Sequence, residues 1–309
     1  MSVNAPRSID EYLKQLRSAL AGEDAALAQD ALYDAEEYLR AEVAAHPDRS
    51  EADVLELISS TYGAPEEVAA AYRDTEVKVK AALKAPAPPV TAQAGGIRRF
   101  FGIFMDVRAY TSLFYMLLTL VTGIVYFTFV VSGLSLSAGL AILVVGIPFF
   151  LGFIGLARVL ALGEGRLIEA TTGERMPRRP VHPGLPAPWL TRIADMLKDM
   201  RTWTTLLYLL LMLPLGIFYF TLTIAGGSIG LGLVLTPLIL LGQELGWFPP
   251  GFSAGWIRID GSSYGATVVG ALFCLALGVV ILALVLHAVR GIARGHARLA
   301  KALLVEPGA

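Results

Sequence analysis

The stretch from Asp106 to Leu140 recurs 93 residues later as Asp199 to Leu233, and this duplication restricts the folds open to the chain more than any other feature. The copies keep Asp106/Asp199, Arg108/Arg201, Thr111/Thr204, Tyr115/Tyr208, Gly123/Gly216, Tyr126-Phe127-Thr128 against Tyr219-Phe220-Thr221, Gly133/Gly226 and Gly139/Gly232. Two unrelated apolar helices would match at Leu and Val, not at polar and glycine positions. A second match, Arg158 to Leu167 against Arg290 to Leu299, is offset by 132 residues, which places 39 extra residues in copy two between about Leu233 and Gly270. The repeating unit is a helix pair, used twice and extended once.

The copies are apolar over runs longer than the roughly 18 residues that mark a membrane-crossing helix. With 55% apolar residues and a mean hydropathy of +0.61, the chain is too apolar for a soluble protein of this size. Charge divides it: residues 1–84 carry 17 Asp/Glu and 9 Lys/Arg, net −8, whereas residues 85–309 carry 9 and 16, net +7. An acidic soluble head is therefore expected on a basic membrane body. One cysteine, Cys274, rules out a disulfide within the chain and reads as helix packing. The N-terminal residues lack the apolar core of a secretory signal, so the head is expected in the cytosol.

Within the head, Ser8-Ile-Asp-Glu11 is a capping box that starts a helix with Ile9, Tyr12, Leu13, Leu16 and Leu20 on one face. A longer acidic helix covers about Asp24 to Ala45, and Ser50-Glu-Ala-Asp53 caps a third that closes at Gly63. Pro65 suits the first position of a fourth helix running to Lys84. Four short helices in this length make a small bundle. The paired tyrosines of the acidic helix, followed by Tyr62-Gly63-Ala64-Pro65-Glu66-Glu67-Val68-Ala69, resemble the HAAS signalling domain over about residues 8–76. That resemblance implies a protein-interaction role in front of membrane segments and a cytosolic regulator, such as a PadR-type transcription regulator, as the partner. Tyr38, Glu37, Tyr62, Gly63, Pro65 and Glu66 are the partner-binding candidates it suggests.

Residues 85–96 are a Pro/Ala/Gly linker, and 97–309 form the membrane domain. Arg98, Arg99, Phe100 and Phe101 are expected at the lipid interface, the arginines among headgroups and the rings dipped in. Spans are expected at about 110–132, 136–160, 203–225 and 267–289, with a hairpin turn at Gly133 to Ser137. Arg158, Arg166, Arg175, Arg178, Arg179, Arg192, Lys198 and Arg201 form a basic connection of the kind the cytoplasmic side retains, which puts both termini there. The insert, 228–265, is apolar enough at Ser228 to Leu245 to cross again. A fifth crossing would carry the basic tail to the far side, so the segment is expected to bend back or lie at the outer interface. Gln243, Glu244, Trp247, Trp256, Arg258 and Asp260 are the candidate ligand-sensing residues within it.

The twin starts Tyr110 to Tyr115 and Trp203 to Tyr208, the Pro214-Leu-Gly216 and Tyr219-Phe-Thr221 stretch and the Arg-rich ends resemble the "Putative sensor" membrane domain over about residues 104–306. In other proteins that module precedes signalling output domains. Asp106 with Arg108 and Asp199 with Arg201 read as local pairs at helix starts, and the paired tyrosines as interfacial anchors. None of the four histidines has metal-ligand spacing, and no phosphate loop, nucleophile elbow or kinase motif is present in the sequence. The expectation is thus an all-α chain, a small helical bundle followed by a polytopic helical membrane domain of two repeated helix pairs. It acts as a non-enzymatic sensor in the cytoplasmic membrane, without metal, cofactor or direct nucleic-acid binding, and with lipid, a regulator and a homo-oligomer as its associations. The alternatives are a transporter subunit or a structural, lipid-organising protein.

Overall fold

A computed structural model describes residues 6–83, 96–142, 145–177, 198–247, 255–259, 262–265 and 268–305. The expected linker up to residue 95, and Arg178, Arg179, His182, Arg192 and Asp260, lie outside them; Gly96, the linker's last residue, begins a helix. Among the described residues the fold is all-α apart from one two-stranded ribbon. The helices are α1 (Ile9–Ala19), α2 (Ala25–Ala45), α3 (Glu51–Ser59), α4 (Pro65–Leu83), α5 (Gly96–Phe101), α6 (Val107–Leu140), α7 (Gly146–Thr172), α8 (Met200–Glu244) and α9 (Val268–Leu304). A 3-10 turn, Gly102–Met105, joins α5 to the segment before α6, and β1 (Gly255–Ile259) pairs antiparallel with β2 (Ser262–Gly265).

The chain forms two compact units: Met1–Pro86, Gly123–Leu213 and Arg294–Ala309 make the first, and Ala87–Thr122 with Pro214–Ala293 the second. In the first unit the head folds as its caps direct. Ser8 Oγ accepts from the Glu11 N–H at 3.2 Å, Asp24 Oδ1 from Ala26 N–H at 2.9 Å, and Ser50 Oγ from Asp53 N–H at 3.3 Å. Tyr12, Leu16, Leu20, Leu39, Val54 and Ile58 bury into one core with Val68 and Ala69 of α4. Gly63 turns the chain between α3 and α4 at φ +104°, and the Tyr12 hydroxyl donates to its carbonyl at 2.9 Å. Tyr72 donates to Asp34 Oδ2, also at 2.9 Å.

Helices α6, α7, α8 and α9 are each long and apolar enough to cross a membrane. Two expectations fail here. The helix does not turn at Gly133 to Ser137 but runs on to Leu140, with α7 starting at Gly146. Gly133 is a packing position instead, since a Cβ there would meet the Phe153 ring at 2.2 Å. Nor does Ser228 to Leu245 bend back: it continues α8 through both Pro214 and Pro237, giving 45 residues in one helix. At 1.5 Å per residue that is about 68 Å, roughly twice the hydrocarbon thickness. The proline and glycine signals that end soluble helices are tolerated in membrane helices, where neighbours re-satisfy the backbone.

The duplication is visible as one close approach made twice. In the first unit, a Cβ on Gly123 would lie 2.6 Å from the Met212 carbonyl oxygen; in the second, a Cβ on Gly216 would lie 2.6 Å from that of Thr119. Met212 is the counterpart of Thr119, so each glycine admits the backbone of the other copy. Gly123→Val or Gly216→Val is expected to lower stability by about 1–3 kcal/mol through overpacking, read as a lower midpoint in thermal unfolding of the detergent-solubilised chain. Within the head, burial raises the Tyr12 hydroxyl well above the ordinary tyrosine value, helped by Tyr62, Glu66 and Glu67. Burial and then the Asp34 hydrogen bond do the same for Tyr72. Both hold their protons more tightly in the folded state, so their contribution is full below pH about 10 and is lost progressively as pH rises from there towards their raised folded values. Circular dichroism should show head helicity falling at alkaline pH, with a shallower fall in Tyr12→Phe.

Candidate functional site

The densest charge cluster lies in the first unit and centres on Arg175. Gly173, at φ +74°, caps α7 with its N–H on the Glu169 carbonyl and turns the chain. The Arg175 guanidinium then enters a buried ring of acids. Its Nη2 donates to Asp30 Oδ2 of α2 at 2.8 Å and its Nε to Glu76 Oε2 of α4 at 3.2 Å; Nη1 lies 3.5 Å from Glu169 Oε2 of α7 and donates to the Met176 carbonyl at 2.7 Å. None of the four side chains is more than 9% exposed. Burial by itself would lower the guanidinium's pKa, but Asp30, Glu76 and Glu169 outweigh it and hold the value above the ordinary one. The planar fork is what lets one side chain satisfy three carboxylates.

Further polar links flank this clasp. Lys301, near the end of α9, reaches Asp24 Oδ2 at the start of α2 at 2.7 Å. Arg201 at the start of α8 donates to Gln29 Oε1 at 3.1 Å. The head thus contacts the end of α7, the start of α8 and the end of α9, which puts those three helix ends on its own side. Between them is a cavity of about 60 Å³, with Gln29, Arg158, Asp199, Arg201, Thr205 and Leu304 in its lining. It has room for about two waters.

The aspartates at the helix starts pair differently from expectation. Each caps its own helix, Asp199 Oδ1 accepting from Arg201 N–H and Asp106 Oδ1 from Arg108 N–H, both at 3.0 Å. Their ion-pair partners lie far along the chain. In the first unit Arg158 Nη2 reaches Asp199 Oδ2 at 3.1 Å and also donates to Thr202 Oγ1; in the second, Arg290 pairs with Asp106. Arg158 and Arg290 are repeat counterparts, so each copy's Asp takes the other copy's Arg. The reason is geometric, because residues two apart on a helix do not face each other.

The paired tyrosines are another correction. Tyr115 and Tyr208 are fully buried and Tyr126 and Tyr219 nearly so, which removes them from an interfacial role. The Tyr126 hydroxyl donates to Glu164 Oε2 at 3.0 Å, and the Tyr208 hydroxyl lies 3.1 Å from His296 Nε2. Glu164 and His296 are themselves counterparts in the repeat, both buried. These polar groups are satisfied by protein, as membrane depth demands.

Of the head candidates, Tyr38 and Tyr62 stack with centroids 4.5 Å apart, and Gly63 and the buried Pro65 follow directly in chain. Glu37 and Glu66 are exposed. Arg98 and Arg99 are exposed on α5, whereas Phe100 and Phe101 pack against the second unit's cluster of Ile103, Ala109, Ala283 and Leu286 instead of projecting freely. Phe100 stacks on His287 at 5.2 Å. In the insert, Gln243 and the exposed Glu244 end α8, Trp247 is 70% exposed, and Trp256 and Arg258 stand on β1. Among the described residues no cluster of His, Cys, Asp or Glu could hold a metal. Arg175, Asp30, Glu76 and Glu169 were not among the sequence candidates. A basic residue in a connecting segment and single acids on two head helices carry no local signal, although Arg158 and Asp199 were both visible as repeat-retained charges.

Four apolar helices of spanning length, together with a helical head, define a polytopic α-helical membrane protein. The chain belongs to the "Putative sensor" family, whose profile matches residues 115–304. No curated protein and no solved structure matches it.

Removing one partner of a buried ion cluster leaves uncompensated charge and costs about 3–5 kcal/mol. Arg175→Met is therefore expected to undock the head, seen as faster amide hydrogen exchange in α2 and α4 of the full chain. Arg175→Lys should restore little of the protection, since a point charge cannot serve three carboxylates at once.

Proposed function

We propose that the chain is a non-enzymatic sensor of the cytoplasmic membrane, which relays a change in its membrane helices to a head that binds a soluble regulator. The single observation that carries this reading is the Arg175 clasp, because one side chain ties two head helices to the end of a membrane helix. A shift of α7 relative to its neighbours moves Arg175 and alters the fit of Asp30 and Glu76. The head's exposure then follows the state of the membrane helices, a two-state equilibrium biased by whatever stabilises one packing. Membership of the "Putative sensor" family supports a sensing role for the membrane helices.

The head is read as the output. Its similarity to the HAAS signalling domain, carried by Tyr62-Gly63-Ala64-Pro65-Glu66, supports a cytosolic protein partner, with a PadR-type transcription regulator as the candidate. The basic residues after α7 and in the C-terminal part of α9, among them Arg175, Arg290, Arg294, Arg298 and Lys301, support a cytoplasmic location for the head and the end of α9. The insert, with the exposed Glu244 and Trp247 at the end of α8, is then the part that faces outward.

Crosslinked pull-down from native membranes tests the reading with three forms: the full chain, the chain lacking residues 1–84, and Arg175→Met. A soluble regulator is expected with the full chain, absent without the head, and recovered in different amount from Arg175→Met. Identical recoveries from all three would overturn the proposal.

A further inference from the structure

The two helix pairs differ in the side chains they bring together, and the first pair carries a groove. Between α6 and α7, in the first unit, runs a groove of about 490 Å³, within the roughly 300–1,000 Å³ of pockets that hold small molecules. Phe129, Leu136, Phe149, Gly152, Phe153 and Leu156 form most of its lining, and Thr128 and Ser132 bring the hydroxyls there. Phe153 anchors it, 5.2 Å from Phe129 between ring centroids and pressed on Gly133.

Copy two supplies an internal comparison. The counterparts of Phe149, Phe150 and Phe153 are Ile281, Leu282 and Val285, and Gly230 stands where copy one has Ser137. There, in the second unit, a Cβ on Gly278 would fall 2.7 Å from the Gly230 carbonyl oxygen, so the backbones of α8 and α9 touch. Of the groove's lining, Phe149 and Phe153 are aromatic where copy two has Ile281 and Val285.

Its surroundings name the occupant. No charged residue lies between 109 and 157, and both helices qualify as membrane spans. Val131, Leu136 and Leu156, around the groove, are 41–49% exposed, so in a bilayer they meet hydrocarbon. Left empty, the lining would forfeit its dispersion contacts, and water at this depth lacks partners. We propose that the α6–α7 groove is a binding site for one acyl chain of a membrane phospholipid. This inference does not depend on what the head binds.

Gly152 provides a clean way to fill the groove, because a Cβ there has nothing within 4 Å. The full chain is reconstituted in vesicles of phosphatidylethanolamine and phosphatidylglycerol containing a trace of phospholipid with a diazirine on its palmitoyl chain, irradiated, and mapped by mass spectrometry. Adducts are expected at Phe149 and Phe153, suppressed by excess unlabelled phospholipid and lost in Gly152→Leu. Labelling at the exposed Phe114 and Phe273 should stay unsaturable and unchanged in the variant, which also reports that the helices are still inserted. Unsaturable labelling at Phe149 and Phe153 of the unmutated chain, equal to that at Phe114, would mean bulk lipid contact and overturn the site. So would absence of lipid adducts there together with chain-to-chain crosslinks from benzoylphenylalanine at Phe149, which would make the occupant a second copy.

Discussion

A guanidinium that is less than one-tenth exposed must find its compensation within reach, and in this protein Arg175 finds it in three different elements. Asp30 comes from α2, Glu76 from α4 and Glu169 from α7. Desolvating four charges is costly, and hydrophobic residues of the same volume would often hold the parts together at least as well. What the cluster adds is position: directional hydrogen bonds allow few arrangements of the head against the end of α7, whereas an apolar patch would allow many. Lys80 Nζ, 3.8 Å from Glu76 Oε1, adds a second cation at the edge of the group. Buried and directional, the junction is sensitive to small displacements of any member.

Local structure was legible from the sequence and long-range pairing was not. Ser8, Asp24 and Ser50 cap the helices their spacing announces, and the apolar stripes of the head converge on one core. Gly133 misled because glycine serves both to turn a chain and to admit a neighbour, and only the facing residue, Phe153, tells the two apart. Pro237 and Gly242 misled because rules learned from soluble helices weaken where a helix has no water to compete for its backbone. The Arg175 cluster was invisible since Asp30 lies 145 residues away, and nothing local marks either member. The Asp–Arg pairs occupy a middle position: the four residues were singled out as repeated, but their assignment to adjacent partners ignored the direction in which side chains leave a helix.

The repeat is obeyed at some contacts of the helices and broken at others. Gly123 and Gly216, and the two Asp–Arg pairs, preserve one geometry in both copies. Elsewhere the copies have diverged in ways that give each a separate property, such as Glu164 where the other has His296, and Phe149, Phe150 and Phe153 where the other has aliphatic side chains. Copy two alone carries the lengthened helix and the ribbon. A duplicated framework of this kind holds its symmetric contacts for cohesion and frees the remaining positions to specialise.

The reciprocal pairing of Asp106 with Arg290 and Asp199 with Arg158 has a genetic consequence. Neither copy contains the partner of its own charge, so one copy expressed by itself would present an aspartate and an arginine that only a second molecule can neutralise. A single helix pair bearing these two residues and the crossing glycine would make every such contact as a symmetric dimer. The gene carries that dimer as one open reading frame, which fixes its stoichiometry and lets one half drift while the other keeps the joint.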